Sequence, residues 1–228
     1  MLKFLYEFVH SGMPLLEKAA IFFSPVINVD GVQFLETEFQ RTGKLPWIRK
    51  NKRPMTCQEG VEYEAGVDLN RNYGYSSPLD QCEKTYGGPF PFSEPETQSV
   101  KNFIKTYNNI KLAVNIHAYG NYICIPFLAD DAENTKLESY PSARTFYDKL
   151  RKRENRPMMG NVAQITGQQA PGTASDWMLE EMNVIAITVE LGTNSTESEA
   201  FFLERSEIDR VITENYPWMV YAFDEIVK

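Results

Sequence analysis

Apolar residues along the chain fall into two kinds of run, and each kind predicts a different element. Short runs that are dense in β-branched and aromatic residues predict strands at 20–28, 110–118, 122–128 and 184–191. Longer stretches with apolar residues at helical spacing predict helices at 2–10, 94–108, 142–155, 174–181 and 206–226. Ser93 and Glu96 have the spacing of a capping box for the second helix. Pro217 is expected to kink or divide the last one.

The order of these elements predicts the fold class. Strands and helices alternate, and several strands are interpreted as apolar on both faces, as in a sheet covered on both sides. We therefore expect a three-layer α/β domain with a mixed, mostly parallel central sheet flanked by helices. One domain over residues 1–228 is the first expectation and two small domains the second. Residues 29–92 are expected to be mostly irregular, and so long a loop region is usually functional.

Charge and hydropathy exclude several classes of partner. The 228 residues carry a formal net charge of −8, so nucleic acid and anionic membrane surfaces are not expected partners. No apolar run approaches the ~20 residues that a membrane span needs. The N-terminal ten residues predict an amphipathic helix rather than a signal peptide. Because the first methionine lies inside that helix with no cap before it, we expect an N-terminally truncated chain.

Two strand ends carry candidate catalytic residues. The strand "AVNIHAYG" runs to His117, one of only two histidines in the chain, and the carboxyl end of a strand is a common place for chemistry in α/β proteins. Glu190 closes the strand "VIAITVEL". A carboxylate there is costly unless it is paired or functional, and it would suit a general base. The alternative is a glutamate already in solvent. His10 is interpreted as a surface residue.

The long loop region holds candidate binding residues. Asn70 and Arg71 are adjacent in "GVDLNRNYGY", and a guanidinium beside an amide suits capture of a carboxylate. The alternative is a polar turn whose arginine pairs with a structural acid. Arg49 belongs to the basic run "WIRKNKRP", which would usually be a solvated loop. The three cysteines Cys57, Cys82 and Cys124 allow one disulfide and one thiol, and counting leaves the pairing open.

Taken together, these stretches resemble a known family. The motifs "SPVINVDG", "IRKN", "GVDLNRNYG", "PFSEPET", "HAYG", "SDW" and "VELG" occur in this order along the chain. They resemble the zinc metallocarboxypeptidases of the pancreatic carboxypeptidase A/B type, and in style the protist members. The resemblance implies zinc-dependent removal of C-terminal amino acids from peptides.

The resemblance also implies roles for individual positions. His117 would be the last zinc ligand, Glu190 the general base, and Arg49 the group that polarises the scissile carbonyl. Asn70 and Arg71 would bind the terminal carboxylate of the substrate. The other implied positions are the substrate-binding residues Tyr119 and Ser175 and a disulfide between Cys57 and Cys82.

Some family features do not match. The family's zinc has two histidines and one glutamate as ligands, and its first two ligands come from a His-x-x-Glu motif that this sequence lacks. We therefore expect an incomplete zinc site and a sheet without the family's opening strands. Gln168 stands where the family has a mobile tyrosine. Ser175, at the specificity position, carries no charge and favours neutral C-terminal residues, and Cys124 would line the same pocket.

The sequence thus favours a metallocarboxypeptidase whose activity as this chain alone is in question. A zinc-free pseudoenzyme that binds peptide C-termini is the alternative, and amidohydrolase chemistry on small amides is a weaker one. We expect a monomer. The disulfide and the sequon at Asn194 favour secretion, or a secretory-pathway or lysosomal lumen, for the parent protein.

Overall fold

The computed structural model describes most of the chain. The described residues are 2–11, 13–57, 65–74, 80–131, 133–153, 157–192 and 205–228. The α-helices are α1 Leu2–Ser11, α2 Met13–Leu16, α3 Val29–Thr42, α4 Pro95–Thr106, α5 Pro141–Arg151, α6 Val162–Thr166, α7 Ala174–Met182 and α8 Arg205–Ile226. Short 3₁₀ helices cover Leu69–Arg71 and Thr135–Ser139. The strands are β1 Leu112–Ala118, β2 Tyr122–Cys124, β3 Met158–Gly160 and β4 Ile185–Leu191.

The four strands form one sheet in the order β1-β4-β2-β3. β1 pairs with β4 in parallel, β2 pairs with β4 in antiparallel fashion, and β2 pairs with β3 in parallel. The sheet is therefore mixed and mostly parallel, and helices flank it. The predicted α/β fold class is confirmed.

The two faces of this sheet differ in polarity, because side chains alternate along a strand. On one face, Ile116 of β1 pairs with Val189 of β4, and Val114 pairs with Ile187. On the other face, Asn115 pairs with Thr188 and His117 pairs with Glu190. The prediction of strands that are apolar on both faces is therefore wrong for β1 and β4.

Two segments differ from their predicted structure. Residues 20–28 form no strand, although they are apolar. Pro25 lacks the N–H that a ladder needs, and Phe22 is 52% exposed. Conversely, α3 lies inside the region that was expected to be irregular. Asn28 caps α3 by accepting a hydrogen bond from the Gly31 N–H at 3.0 Å.

Two helix details also differ. The capping box of Ser93 and Glu96 is not formed, because α4 begins after Glu94. The Ser93 hydroxyl instead donates to the Glu94 carboxylate at 2.6 Å and accepts from the Asn72 amide at 2.9 Å. Pro217 lies inside α8 and does not divide it.

The chain forms two compact units. The first comprises Met1–Pro25, Lys111–Gln169 and Asn183–Lys228, and the second comprises Val26–Ile110 and Ala170–Met182. The first unit contains the sheet, and its core includes Phe8, Tyr147, Ile123 and Trp218. The second unit contains α3, α4 and α7 and a core with Val67, Ile104 and Trp177. No helix in the described ranges has both the length and the apolar character to cross a membrane.

Candidate active site

The first unit aligns three polar side chains across the sheet. His117 pairs with Glu190 in the β1–β4 ladder, and Tyr122 pairs with Glu190 in the β2–β4 ladder. Residues directly opposite each other point to the same face, and antiparallel pairs have Cβ atoms about 5 Å apart. His117, Glu190 and Tyr122 therefore form a row on one face, and this polar row contains both catalytic candidates of the unit.

Tyr122 was not predicted as a site residue. A Cβ atom on Gly120 would lie 2.2 Å from Cε1 of Tyr122, so the ring packs directly against the turn that follows His117. Burial, followed by the charge of Glu190, raises the pKa of the Tyr122 phenol far above its usual value. The phenol is protonated at neutral pH, as an ordinary tyrosine is, and the raised pKa keeps it a hydrogen-bond donor at more alkaline pH as well. Because only the strand register reveals this neighbour of Glu190, the sequence carried no signal for it.

The next row on the same face is more deeply buried. Thr188 pairs with Asn115 on one side and with Cys124 on the other. Thr188 is 3% exposed and Cys124 is 2% exposed. Cys124 takes no part in a disulfide. The face thus combines a polar outer row with a closely covered inner one.

The described residues do not fit a catalytic zinc. Such a site needs three protein ligands, and the described part of the chain contains no group of three His, Cys, Asp or Glu side chains that could hold a metal. His10 is exposed, as predicted. Its Nδ1 lies 2.8 Å from the Tyr6 carbonyl oxygen and its ring stacks on the Tyr6 ring at 3.9 Å. The imidazole is therefore held against α1 by Tyr6.

In the second unit, Asp68 organises the turn that carries Asn70 and Arg71. Asp68 caps the 3₁₀ helix Leu69–Arg71 by accepting a hydrogen bond from the Asn70 N–H at 3.2 Å. The Asn70 side-chain oxygen accepts from the Ala174 N–H at 3.0 Å. An Arg71 Nη1 hydrogen donates to the Asn70 carbonyl at 2.8 Å. The turn is therefore held at its backbone and at both side chains.

Arg49 is paired with the same aspartate. Its Nε lies 2.8 Å from Oδ2 of Asp68, and the contact is an ion pair rather than an aligned hydrogen bond. The Arg49 side chain is 49% exposed, whereas that of Asp68 is 3% exposed. A buried structural acid two residues before Asn70 thus pairs with Arg49.

The basic run around Arg49 is only partly solvated, because Arg49 and Arg53 are exposed whereas Lys50 is buried. Lys50 is 1% exposed, and its Nζ donates to the Gln81 carbonyl at 3.0 Å. Arg53 pairs with the buried Glu94 at 2.6 Å. These contacts fix the segment that carries Arg49 within the second unit.

The predicted disulfide between Cys57 and Cys82 is present. Their Cα atoms lie 5.7 Å apart, within the usual range of about 4.4–6.8 Å. Gln81 also donates from its side-chain amide to the Thr56 carbonyl at 3.0 Å. The segment at Thr56–Cys57 is therefore joined to the segment at Gln81–Cys82 by both a disulfide and a hydrogen bond.

The remaining predicted positions have varied surroundings. Ser175 is fully buried in the first turn of α7. Asp176, in the same turn, is 7% exposed and donates its backbone N–H to the Thr173 hydroxyl at 3.4 Å. Tyr119 is half-buried and Gln168 is exposed. Asn194 lies outside the described residues.

Comparison with known proteins identifies the family. A family model described as zinc carboxypeptidase matches residues 2–217. Carboxypeptidase A5 of Homo sapiens is 31% identical over 212 residues, which are 90% of this chain and 45% of that protein. Carboxypeptidase A1 of Rattus norvegicus is 28% identical over 226 residues, 93% of this chain and 49% of that protein. The chain spans about half the length of these curated relatives.

Solved structures share the fold. Bovine thrombin-activatable fibrinolysis inhibitor, in complex with tick carboxypeptidase inhibitor, matches with a TM-score of 0.75 and 23% identity, over 99% of this chain and 76% of that one. Carboxypeptidase A from Helicoverpa armigera matches with a TM-score of 0.63 and 24% identity, over 89% of this chain and 50% of that one. Because the family model covers nearly the whole sequence, the chain belongs to the zinc carboxypeptidase family.

Proposed function

We propose that this protein is a metallocarboxypeptidase that releases neutral amino acids from peptide C-termini. We further propose that the 228-residue chain binds peptide C-termini by itself but hydrolyses them poorly. The observation that carries the proposal is the turn anchored by Asp68. Arg49, Asn70 and Arg71 are all held within one or two contacts of this buried carboxylate.

Each of these three side chains suits one part of a peptide C-terminus. The planar guanidinium of Arg71 and the amide of Asn70 would bind the terminal carboxylate through charge-assisted hydrogen bonds. Arg49 would donate to the carbonyl oxygen of the last peptide bond and stabilise the negative charge that develops there. In the first unit, Glu190 would act as the general base. Tyr119 is proposed as a further substrate contact.

The side-chain preference follows from Ser175. This residue is fully buried and carries no charge, so it offers no counter-ion to a C-terminal lysine or arginine. A buried unpaired charge is costly. We therefore propose that the released residue is neutral.

Family membership implies zinc, with His117 as one ligand. The described residues contain no complete ligand group, and neither histidine of the sequence begins a His-x-x-Glu motif. We propose that the site is incomplete in this chain. The protein is proposed to be monomeric and to act in the secretory pathway or outside the cell, because structural disulfides persist in oxidising compartments.

The alternative function is zinc-free capture of peptide C-termini. The same absence of a three-ligand group within the described ranges favours it. Both functions need the Asn70–Arg71 turn, and only the enzyme needs Glu190 and a metal.

Binding of a peptide end tests the part that both functions share. The probe is N-acetyl-Gly-Leu, compared with its C-terminal amide, with affinities from isothermal titration calorimetry. We expect the free acid to bind and the amide to bind much more weakly. Arg71→Ala should weaken binding of the free acid by about 1.5–3 kcal/mol, since a charge-assisted hydrogen bond is lost.

Arg41→Ala is the matched control, because Arg41 is 63% exposed and pairs with Glu38 on α3 of the same unit. It should leave both affinities unchanged. Equal affinity for acid and amide would refute the carboxylate site.

Zinc content and product release separate the two functions. We expect the chain to hold much less than one zinc per molecule and to release no C-terminal leucine. A version extended at its N-terminus by a segment with a strand and a His-x-x-Glu motif should bind one zinc and become active. Stoichiometric zinc and chelator-sensitive activity in the original chain would show that the ligands are misassigned. An extended version that holds zinc but shows no activity would favour capture of peptide C-termini as the function.

A further inference from the structure

We infer that Asp68 is a positioning residue that orients Arg49 and the Asn70–Arg71 turn together for ligand binding. This inference rests on the proposed carboxylate site. It adds that one buried aspartate controls both halves of that site, and that the contribution of Arg49 to binding depends on the charge of Asp68.

Burial shows that Asp68 acts through its neighbours. Its side chain is 3% exposed, so it does not reach a ligand itself, and a carboxylate at such a position needs compensating partners. Its Oδ1 accepts from the Asn70 N–H and its Oδ2 pairs with Arg49. The two oxygens thus connect two segments that are far apart in the sequence.

The backbone of Asp68 is held as firmly as its side chain. Its N–H donates to the Tyr86 carbonyl at 2.8 Å, and its own carbonyl accepts from the Arg71 N–H at 2.9 Å. The carboxylate is therefore a fixed point rather than a group that follows Arg49. A mobile arginine side chain loses less conformational freedom on binding when such a partner has already oriented it.

The atom that Arg49 uses for this pair matters. The contact is made through Nε, and a guanidinium has four further N–H groups on its two Nη atoms. The side chain is 49% exposed, so its outer end is accessible to a ligand. Asp68 can therefore orient Arg49 without covering the end that would contact a peptide carbonyl.

A merely structural role for Asp68 makes a different prediction. As a cap alone, it would stabilise the Leu69–Arg71 turn without any dependence on Arg49. Asp68→Asn separates the two roles, because the amide keeps an oxygen that can accept from the Asn70 N–H while the negative charge is lost. Asp68→Ala removes both.

The experiment combines a double-mutant cycle with a ligand-free measurement. Affinities for N-acetyl-Gly-Leu are measured for the unmutated chain, Asp68→Asn, Arg49→Gln and the double variant. We expect Asp68→Asn to weaken binding by about tenfold, because an uncharged amide no longer orients the Arg49 guanidinium before the ligand arrives. In the Arg49→Gln background it should have no further effect, because the two residues act as a unit. Glu36→Gln, an exposed change on α3, should alter nothing.

The Nε–Hε resonance of Arg49 in nitrogen–proton NMR spectra reports the ion pair without any ligand. It should shift and exchange faster with water in Asp68→Asn, and circular dichroism should show that the fold is kept. Unchanged affinity with an unchanged Arg49 resonance would overturn the inference, as would an equal tenfold loss in the Arg49→Gln background. If the resonance shifts but the unmutated chain binds no peptide, the proposed function fails, and the Arg49–Asp68 ion pair is a structural contact only.

Discussion

At the scale of single residues, buried polar side chains hold the irregular part of the second unit together. Asn72 is fully buried and donates to the Gly87 carbonyl at 2.7 Å, while its oxygen accepts from the Thr97 hydroxyl at 2.6 Å. The Asp68 carboxylate accepts from the Asn70 N–H, and the Glu94 carboxylate accepts from the Asn51 side-chain amide at 2.8 Å. Because an unpaired buried polar group costs about 1–3 kcal/mol, each of these side chains favours one loop conformation.

Tyr73, next to Asn72, makes the stability of this unit depend on pH. Burial, and then the charge of Glu96, raises the pKa of the Tyr73 phenol far above its usual value, which is about 10. Above pH ~10 the unfolded chain loses a proton that the native state retains. The free energy of unfolding should therefore fall as the pH rises through that range.

Urea unfolding at pH 8 and at pH 10.5 measures the effect. Tyr73→Phe should reduce the loss of stability between these two values, because phenylalanine has no proton to release. An identical loss in the variant would show that Tyr73 does not control this pH dependence.

At the scale of elements, α3 depends on its two ends. The Asn28 side chain accepts from the Gly31 N–H and donates to the Lys50 carbonyl, each at 3.0 Å. Gly43 ends the helix in a left-handed conformation with φ of 69°, which glycine adopts without strain. Most of the helix surface is exposed. The two caps therefore largely determine where the helix begins and ends.

Asn28→Ala should therefore lower the unfolding free energy by about 1–2 kcal/mol, the usual cost of losing an N-cap. Asn28→Asp keeps the acceptor for the Gly31 N–H but loses the donor to the Lys50 carbonyl. Its unfolding free energy should therefore lie between those of the unmutated chain and Asn28→Ala. Chemical denaturation measures both variants. A loss for Asn28→Asp as large as that for Asn28→Ala would mean that the bond to Lys50, rather than the cap, stabilises the helix.

At the scale of the whole molecule, the one disulfide lies in the second unit. The cysteine of the first unit, Cys124, takes no part in it. The bond joins residues 25 positions apart, and a loop of that size is stabilised by about 3–4 kcal/mol in the chain-entropy model. Reduction should therefore act first on the second unit.

Hydrogen exchange with and without a reducing agent tests this. Amides of α4 should lose protection on reduction, with those of β4 as the reference in the other unit. In a Cys57→Ser, Cys82→Ser variant, the reducing agent should change nothing. Equal loss of protection in α4 and β4 of the unmutated chain would contradict a local effect of the bond.

Prediction from the sequence succeeded where a local pattern decides the structure. The helices α1, α4, α5, α7 and α8 and the strands β1 and β4 were predicted to within a few residues, since apolar spacing depends on neighbouring residues. It failed for residues 20–28 and for α3. The first has a strand-like pattern that includes Pro25, which cannot donate to a ladder, and the second is a largely exposed helix.

What the sequence by itself determined is therefore most of the longer helices, the strands β1 and β4, the family and the residue types available for chemistry. The motifs that contain His117, Glu190, Arg49, Asn70 and Arg71 are continuous in the chain and can be read directly. Only the tertiary structure decided which groups become neighbours. The row of His117, Glu190 and Tyr122 follows from strand register, and the pairing of Arg49 with Asp68 brings together segments 19 positions apart. A one-residue slip of a strand would turn every side chain to the other face, so such contacts depend on the packing of the whole unit rather than on local sequence.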